Sequence, residues 1–486
     1  MVGLAQRMRP EAFWDSVFRR GGRWDMRARR PKGDPRGLRP GALASDGAWA
    51  YESGSADAAS VGLLRVRVAP RALFRAVVSE RAFPWALASL FVVSGLSFSF
   101  WWPTLIHADL GWGGYGWDTP MDLWATVRDA RMVDWGDFAG VYGAGTGLVT
   151  LPGIAILLAP FAALASALHL SFSFPFPLPY PTAWYVIGPV NMVLGAVPVV
   201  LADRLAVRLG LPSGPRLASG LCTAVFLWPM VAMWGHPEDA LALAGLLGSI
   251  LFALEGRWVA SSFALGAAIC FQLYAALAVV PIVVYLAGLT QKQSTRLVAS
   301  ALWRIGIFPG ALGVITLAGA PASTLRALLD QPNYPLIDWP TPWVHLAPVA
   351  GPNVVEAGPV RWLAVGSSFA VGAWLWHSKR TPRDLVWAVG VALAARSVFE
   401  AVMVPYYIAP GLVLLLAAAG LSKRAAIWIV AASGCWLTVF VEWRWDYSWW
   451  WYLDLVAGLG ISALAAAPWL GRLLPASWAP SSELSS

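Results

Sequence analysis

Residues 101–142 read WWPTLIHADLGWGGYGWDTPMDLWATVRDARMVDWGDFAGVY, and the rest of the chain is organised around them. Asp109, Asp118, Asp122, Asp129, Asp134 and Asp137 all fall in this stretch, among tryptophans and glycines. It follows the first long apolar segment, 83–101, which is close to the roughly 20 residues needed to cross a bilayer. Thr119-Pro120 reads as a helix start, with Asp118 or Thr119 as the cap, Pro120 near the first turn and Asp122 inside it. The expected helix runs from Pro120 to Trp135, with Met121, Trp124, Val127 and Met132 along one side. An amphipathic helix of this kind lies on a membrane surface.

Composition agrees with a membrane setting. Hydrophobic types make up 58% of the 486 residues and charged types 13%, against about 25% charged in a soluble domain. The fold class is therefore all-α: a polytopic membrane helical bundle of about twelve transmembrane helices, with a long first outer loop carrying interfacial helices. Sixteen of the 35 Lys and Arg precede Phe83, a positive-inside signal rather than a nucleic-acid signature. Residues 1–82 read as a basic, largely disordered cytoplasmic tail without the apolar core of a signal peptide. Residues 83–472 form the transmembrane domain, with outer loops at 102–183 and 321–360, and 473–486 a cytoplasmic tail. The three cysteines, Cys222, Cys270 and Cys435, sit in apolar segments and form no disulfide framework.

Residues 148–168 are apolar enough to span, but crossing there would put Arg204, Arg208 and Arg216 outside. An interfacial or re-entrant segment keeps these cations inside. The later spans then alternate: 184–202, 217–234, 240–254, a tight hairpin of 258–271 and 275–289, 305–320, 362–376, 385–403, 408–421, 425–441 and 453–470. Both termini are cytoplasmic in this arrangement.

The unusual polar residues collect on the outer face. His236-Pro237-Glu238-Asp239 opens a span; the acids suit a helix N-terminus, and they suit a site wall for sugar hydroxyls or a cation equally well. Their spacing matches no standard metal motif, so no residue is assigned as a metal ligand. The second outer loop brings Trp343 and His345. Arg396 and Glu400, four apart in a span, form either an ion pair within the bundle or a seat for a lipid phosphate, with Arg361 and Arg444 as rival phosphate ligands. The 30 tryptophans form an interfacial belt, and those beside carboxylates also suit stacking on sugars.

Several segments carry a resemblance to a known family. They are DLWATVRDARMVDWGDFAGVY, the apolar LPGIAILLAPFAAL after it, GHPEDALAL at the head of a span, and GAAICFQLYAALAVVP. Together they resemble the GT-C superfamily of membrane glycosyltransferases, within it the polyprenyl-phosphate-mannose-dependent α-mannosyltransferase type, over roughly residues 83–289. The resemblance implies an inverting transferase of the plasma membrane acting on the outer face. It moves mannose or another hexose or pentose from a polyprenyl-phosphate donor to a glycolipid, glycan or protein acceptor of the cell envelope. Its partners are donor, acceptor and membrane lipid, with no nucleic acid; no cofactor is fixed, and a divalent cation, Mg2+ or Mn2+, remains open. The base carries over to Asp122 or Asp118, with Asp109, His236, Glu238, Asp239, Trp343, His345, Arg361, Arg396, Glu400 and Arg444 as substrate-binding candidates. The competing readings are a lipid or sugar transporter or flippase, which would favour polar residues at midplane, and a GT-C-like assembly protein without catalysis.

Overall fold

The computed structural model describes residues 82–106, 121–138, 140–142, 148–172, 181–289, 295–333, 339–422, 424–440 and 450–469. Among them are fifteen α-helices and four very short strands. Four helices are long and apolar enough to cross a membrane: Trp184–Arg208, Ser213–Met233 with its final turn, Pro237–Leu254 and Thr295–Gly319. The protein is a helical membrane protein. Seven further apolar helical stretches of 10–17 residues accompany these four.

In chain order the helices that matter here are α1 (Phe83–Ile106), α2 (Met121–Asp134), α3 (Gly153–Ala167), α4 (Trp184–Arg208), α5 (Ser213–Trp228), α6 (Pro237–Leu254), α7 (Trp258–Phe271), α8 (Val279–Leu289), α9 (Thr295–Gly319), α10 (Pro321–Leu325), α11 (Arg361–His377), α12 (Pro382–Phe399), α13 (Ala409–Ala419), α14 (Arg424–Cys435) and α15 (Trp450–Ala466). Two apolar clusters organise them. The larger is built on α4 to α8 and α12 to α15, with Phe83, Leu87 and Phe91 of α1 packed in. The smaller joins Leu123, Trp124, Val127 and Ala130 of α2 to Ile154, Leu158, Ala162 and Ala165 of α3 and to Trp184 and Ile187 of α4. Helix α2 lies within one residue of each expected end, and its buried side follows the 3.6-residue period through Leu123, Val127 and Ala130. Helix α3 covers about 22 Å at 1.5 Å per residue and packs on α2 and α4.

Three expectations change in detail. The expected hairpin of 258–271 with 275–289 is opened out. A 3-10 turn at Leu273–Ala278 separates α7 from α8, so α7 packs on α6 and α9 whereas α8 packs on α11. The expected span 217–234 is α5 followed by a π-helical turn, Pro229–Met233. Asn191 of α4 donates its side-chain amide to the Val231 carbonyl in that turn, at 2.9 Å. The span expected to reach residue 403 ends at Phe399, and the chain then runs extended because Pro405 excludes helical geometry from Val404. Strand β1 (Trp339–Pro340) pairs antiparallel with β4 (Val402–Met403), and Thr341 continues the contact: its hydroxyl donates to the Glu400 carbonyl at 2.6 Å and accepts from the Trp343 backbone N–H at 3.1 Å. The loop of residues 321–360 thus anchors the extended segment that leads into Tyr406 and Tyr407. A second small ladder joins β2 (Val349–Gly351) to β3 (Val354–Val355).

Helix α12 opens with a reciprocal cap. The Asp384 amide donates to the Thr381 hydroxyl, the Thr381 amide donates to the Asp384 carboxylate, and Pro382 sits in the first turn. The contact of α7 with α9 depends on Gly266: a Cβ there would stand 2.5 Å from the Ile305 backbone carbonyl oxygen. Backbone cannot yield as a side-chain tip can. Gly266→Ala is expected to destabilise the protein by about 1–3 kcal/mol, read as a lower unfolding midpoint in detergent.

Candidate functional site

The local chain geometry explains how His236 is presented. After the π-helical turn, Gly235 takes φ +75°, a conformation that glycine adopts without steric cost. His236 then caps α6, with Pro237, Glu238 and Asp239 in the first turn. Residues His236, Glu238 and Asp239 are all buried.

His236 is the hub. Its Nδ1 lies 2.6 Å from Glu238 Oε1 and 3.4 Å from Asp239 Oδ2. Its Nε2 lies 2.8 Å from Asp122 Oδ2 and 2.7 Å from the Tyr406 hydroxyl. Asp122 arrives from α2 and the smaller apolar cluster, 114 residues away in sequence. The site therefore sits on the seam between the two clusters. The Asp122 side chain is 49% exposed, so a carboxylate open to ligand rests on a buried imidazole.

A shell of polar aromatics encloses the hub. The Tyr406 ring packs on His236 at 4.4 Å between centroids and on Trp234 at 5.4 Å. Gln272 donates to Asp239 Oδ2 at 3.3 Å, and the Tyr274 hydroxyl donates to the Asp239 backbone carbonyl at 2.9 Å. The Arg396 guanidinium carbon lies 5.1 Å from the Tyr274 ring centroid and 4.5 Å from that of Tyr407, while its Nε donates to Glu400 Oε1 at 3.3 Å. Burial opposes a charge on His236. The Glu238 charge and hydrogen bonds with Asp122, Asp239 and Glu238 outweigh it and hold the imidazole pKa well above its usual value. Both ring nitrogens then donate, and Nε2–H fixes the rotamer of Asp122.

The structure brings together four of the residues singled out in the sequence: Asp122, His236, Glu238 and Asp239. Arg396 and Glu400 make the expected ion pair one layer away. The remaining described candidates lie outside this cluster. Trp343 directs its indole N–H at the Val398 carbonyl (2.8 Å) and the Tyr452 hydroxyl (2.9 Å), pinning the loop to α12 and α15. Arg361 donates to the Leu329 carbonyl at 2.5 Å and reaches Gln331 Oε1 at 3.4 Å. His345 is exposed in a 3-10 turn. Asp109, Asp118 and Arg444 lie outside the described residues. Sequence reasoning missed Tyr406 and Tyr407, although a Pro-Tyr-Tyr between two apolar segments was a usable signal.

Asp129, two turns beyond Asp122 on α2, is fully buried, and neither carboxylate oxygen has a hydrogen-bond partner. Burial raises its pKa to about 7, Arg128 offsetting part of the rise. The folded state thus holds this proton more tightly than the unfolded chain does. The stability that follows is complete below pH 4 and is lost as pH rises through about 7. Asp129→Asn is expected to flatten that decline and to gain on the order of 3 kcal/mol at pH 8, with little change at pH 4. Unfolding midpoints in detergent at the two pH values test this; an equal shift at both would refute the titration.

Compared with known proteins, the chain matches no protein-family model and no curated sequence.

Proposed function

We propose that the protein is an inverting membrane glycosyltransferase. It takes a sugar, mannose or another hexose or pentose, from a polyprenyl-phosphate donor and passes it to a glycolipid, glycan or protein acceptor of the cell envelope. The observation that carries this reading is the contact of half-exposed Asp122 with buried His236, at 2.8 Å. A carboxylate held in one rotamer by an imidazole N–H, with one edge open, is placed to accept a proton from an attacking hydroxyl.

In the reaction, the acceptor oxygen forms a bond to the anomeric carbon as Asp122 takes its proton. The bond from that carbon to the phosphate oxygen breaks, and the electron pair leaves with the lipid phosphate. A single displacement inverts the anomeric centre, unlike the paired-carboxylate retaining route of glycosidases. The proton then passes from Asp122 to solvent. Arg396 suits the phosphate: only its Nε is hydrogen-bonded among the described residues, so both Nη groups remain for a fork-like contact. Glu238 and Asp239 hold His236 in place, and half-buried Trp234, backed by the buried Tyr406 ring, supplies aromatic surface for the sugar.

The same reading carries the topology: about twelve spans in the plasma membrane, both termini cytoplasmic, α2 and α3 lying along the outer surface, and the site open to the outer face. The test is transfer by purified, reconstituted protein offered a panel of polyprenyl-phosphate sugars, with Asp122→Asn and Asp118→Asn beside wild type. Turnover of no donor would return the chain to the transporter or non-catalytic readings.

A further inference from the structure

We infer that His236 Nδ1, Glu238 and Asp239 form a binding site for one divalent transition-metal ion, of the Mn2+ or Zn2+ type. One ligand atom from each residue lies within 4.8 Å of the others, and all three residues are buried. They occupy the cap and first turn of α6, so a single local geometry sets all three.

A second observation points to a missing cation. Glu238 Oε2 and Asp239 Oδ1 are buried from solvent and have no hydrogen-bond donor. Buried carboxylate oxygens without donors are costly and are rarely left so. Gln272 and Glu238's contact with His236 already serve the other oxygen of each group. The carboxylates thus keep unused acceptor oxygens in a buried place, and a metal ion held by both groups would supply a positive partner there.

Charge leads the same way. Asp122, Glu238 and Asp239 surround one imidazole, and the nearest guanidinium, Arg396, is already paired with Glu400. The positive end of α6 offers only about half a charge. Two negative charges in a buried cluster are offset by one divalent ion bound in place of the Nδ1 proton.

The surroundings match what a ligating histidine needs. Its second nitrogen, Nε2–H, donates to Asp122, the carboxylate–histidine–metal arrangement that fixes ring orientation. Gln272 steadies the Asp239 carboxylate, and Tyr274 holds the Asp239 backbone. One imidazole nitrogen with two carboxylates favours Mn2+ or Zn2+ over Ca2+. Resting on the transferase reading, the ion would neutralise charge gathering on the departing phosphate.

The experiment is a metal titration of the full-length chain in detergent, stripped with chelator, with no donor present. Free Mn2+ is followed by electron paramagnetic resonance and bound Zn2+ by elemental analysis. Wild type is expected to take up about one equivalent, and Glu238→Gln and Asp239→Asn to bind at least about tenfold more weakly. His377→Ala, at an exposed histidine on α11, should bind as wild type does. Wild type that shows no saturable uptake overturns the inference whatever the variants do. So does uptake that Glu238→Gln and Asp239→Asn leave unchanged. Uptake as expected but without sugar transfer sinks the transferase reading alone; transfer that survives chelation, with no uptake, sinks the metal site alone.

Discussion

Asp122→Asn lowers sugar transfer by about 10²–10⁴-fold, while helix content and affinity for the donor stay as in wild type. The side chains are nearly isosteric. The amide oxygen still accepts the His236 Nε2–H bond, so the rotamer survives and only the basicity is lost. Helix α2 keeps its seat, because Leu123, Trp124 and Val127 bury the anchoring face and Asp122 is on the exposed side. An interaction made only as the hydroxyl loses its proton appears in kcat and not in KM for the donor. Asp129→Asn, on the same helix, should leave transfer at pH 7 within about twofold, since its carboxylate is enclosed in the smaller apolar cluster. The pair of variants separates a positioned base from general loss of acidic charge on α2. Turnover that survives Asp122→Asn would relocate the base, with Asp118, Asp109 and Asp239 next to test.

How this constellation arises explains what was readable in the chain. Local signals were strong. Pro120 with Asp122 announced α2, and Pro237 with two acids announced α6, because helix ends impose the same backbone and electrostatic demands everywhere. Apolar runs located the helices. Long-range partners left no such mark. Nothing local says that Asp122 meets His236 rather than solvent; only the packing of α2 and α3 against α4 brings them together. The Tyr406–His236 contact spans 170 residues and depends on β1 pairing with β4, a two-residue ladder below any periodicity signal. The π-helical turn that sets His236 is likewise invisible in an apolar run. Trp343 misled for a different reason. An aromatic in a loop beside carboxylates suits a sugar, but its indole N–H found a backbone carbonyl in α12 instead.

Arg216 is the other residue whose sequence context misleads, and its removal carries the largest expected effect on stability. The positive-inside rule grouped it with Arg204 and Arg208 as a cation of the inner loop, with no partner assigned. It is instead buried, its guanidinium forked onto Asp203 with Nε and Nη2 each 2.8 Å from a carboxylate oxygen. The side chains are 6% and 1% exposed, and the Phe83 ring centroid lies 5.7 Å from the guanidinium carbon. One contact thereby ties α5 to α4 and to α1. Arg216→Leu would leave the Asp203 carboxylate unpaired in apolar surroundings, at a cost of about 3–5 kcal/mol. Asp203→Leu should cost a similar amount for the reverse reason. The double variant should recover most of the loss, since two apolar side chains of suitable volume remove both charges at once. Unfolding midpoints of the three variants in detergent make the comparison. Single variants within about 1 kcal/mol of wild type would mean that water reaches the pair and its attraction is screened. Transfer activity adds a second reading of the same cycle. Helix α5 delivers the Trp234–His236 turn at its far end, so the double variant should keep transfer if packing alone positions that turn. Loss of transfer in a stable double variant would instead assign the ion pair a role in setting the register of α5 against α4, and through it the distance from His236 to Asp122.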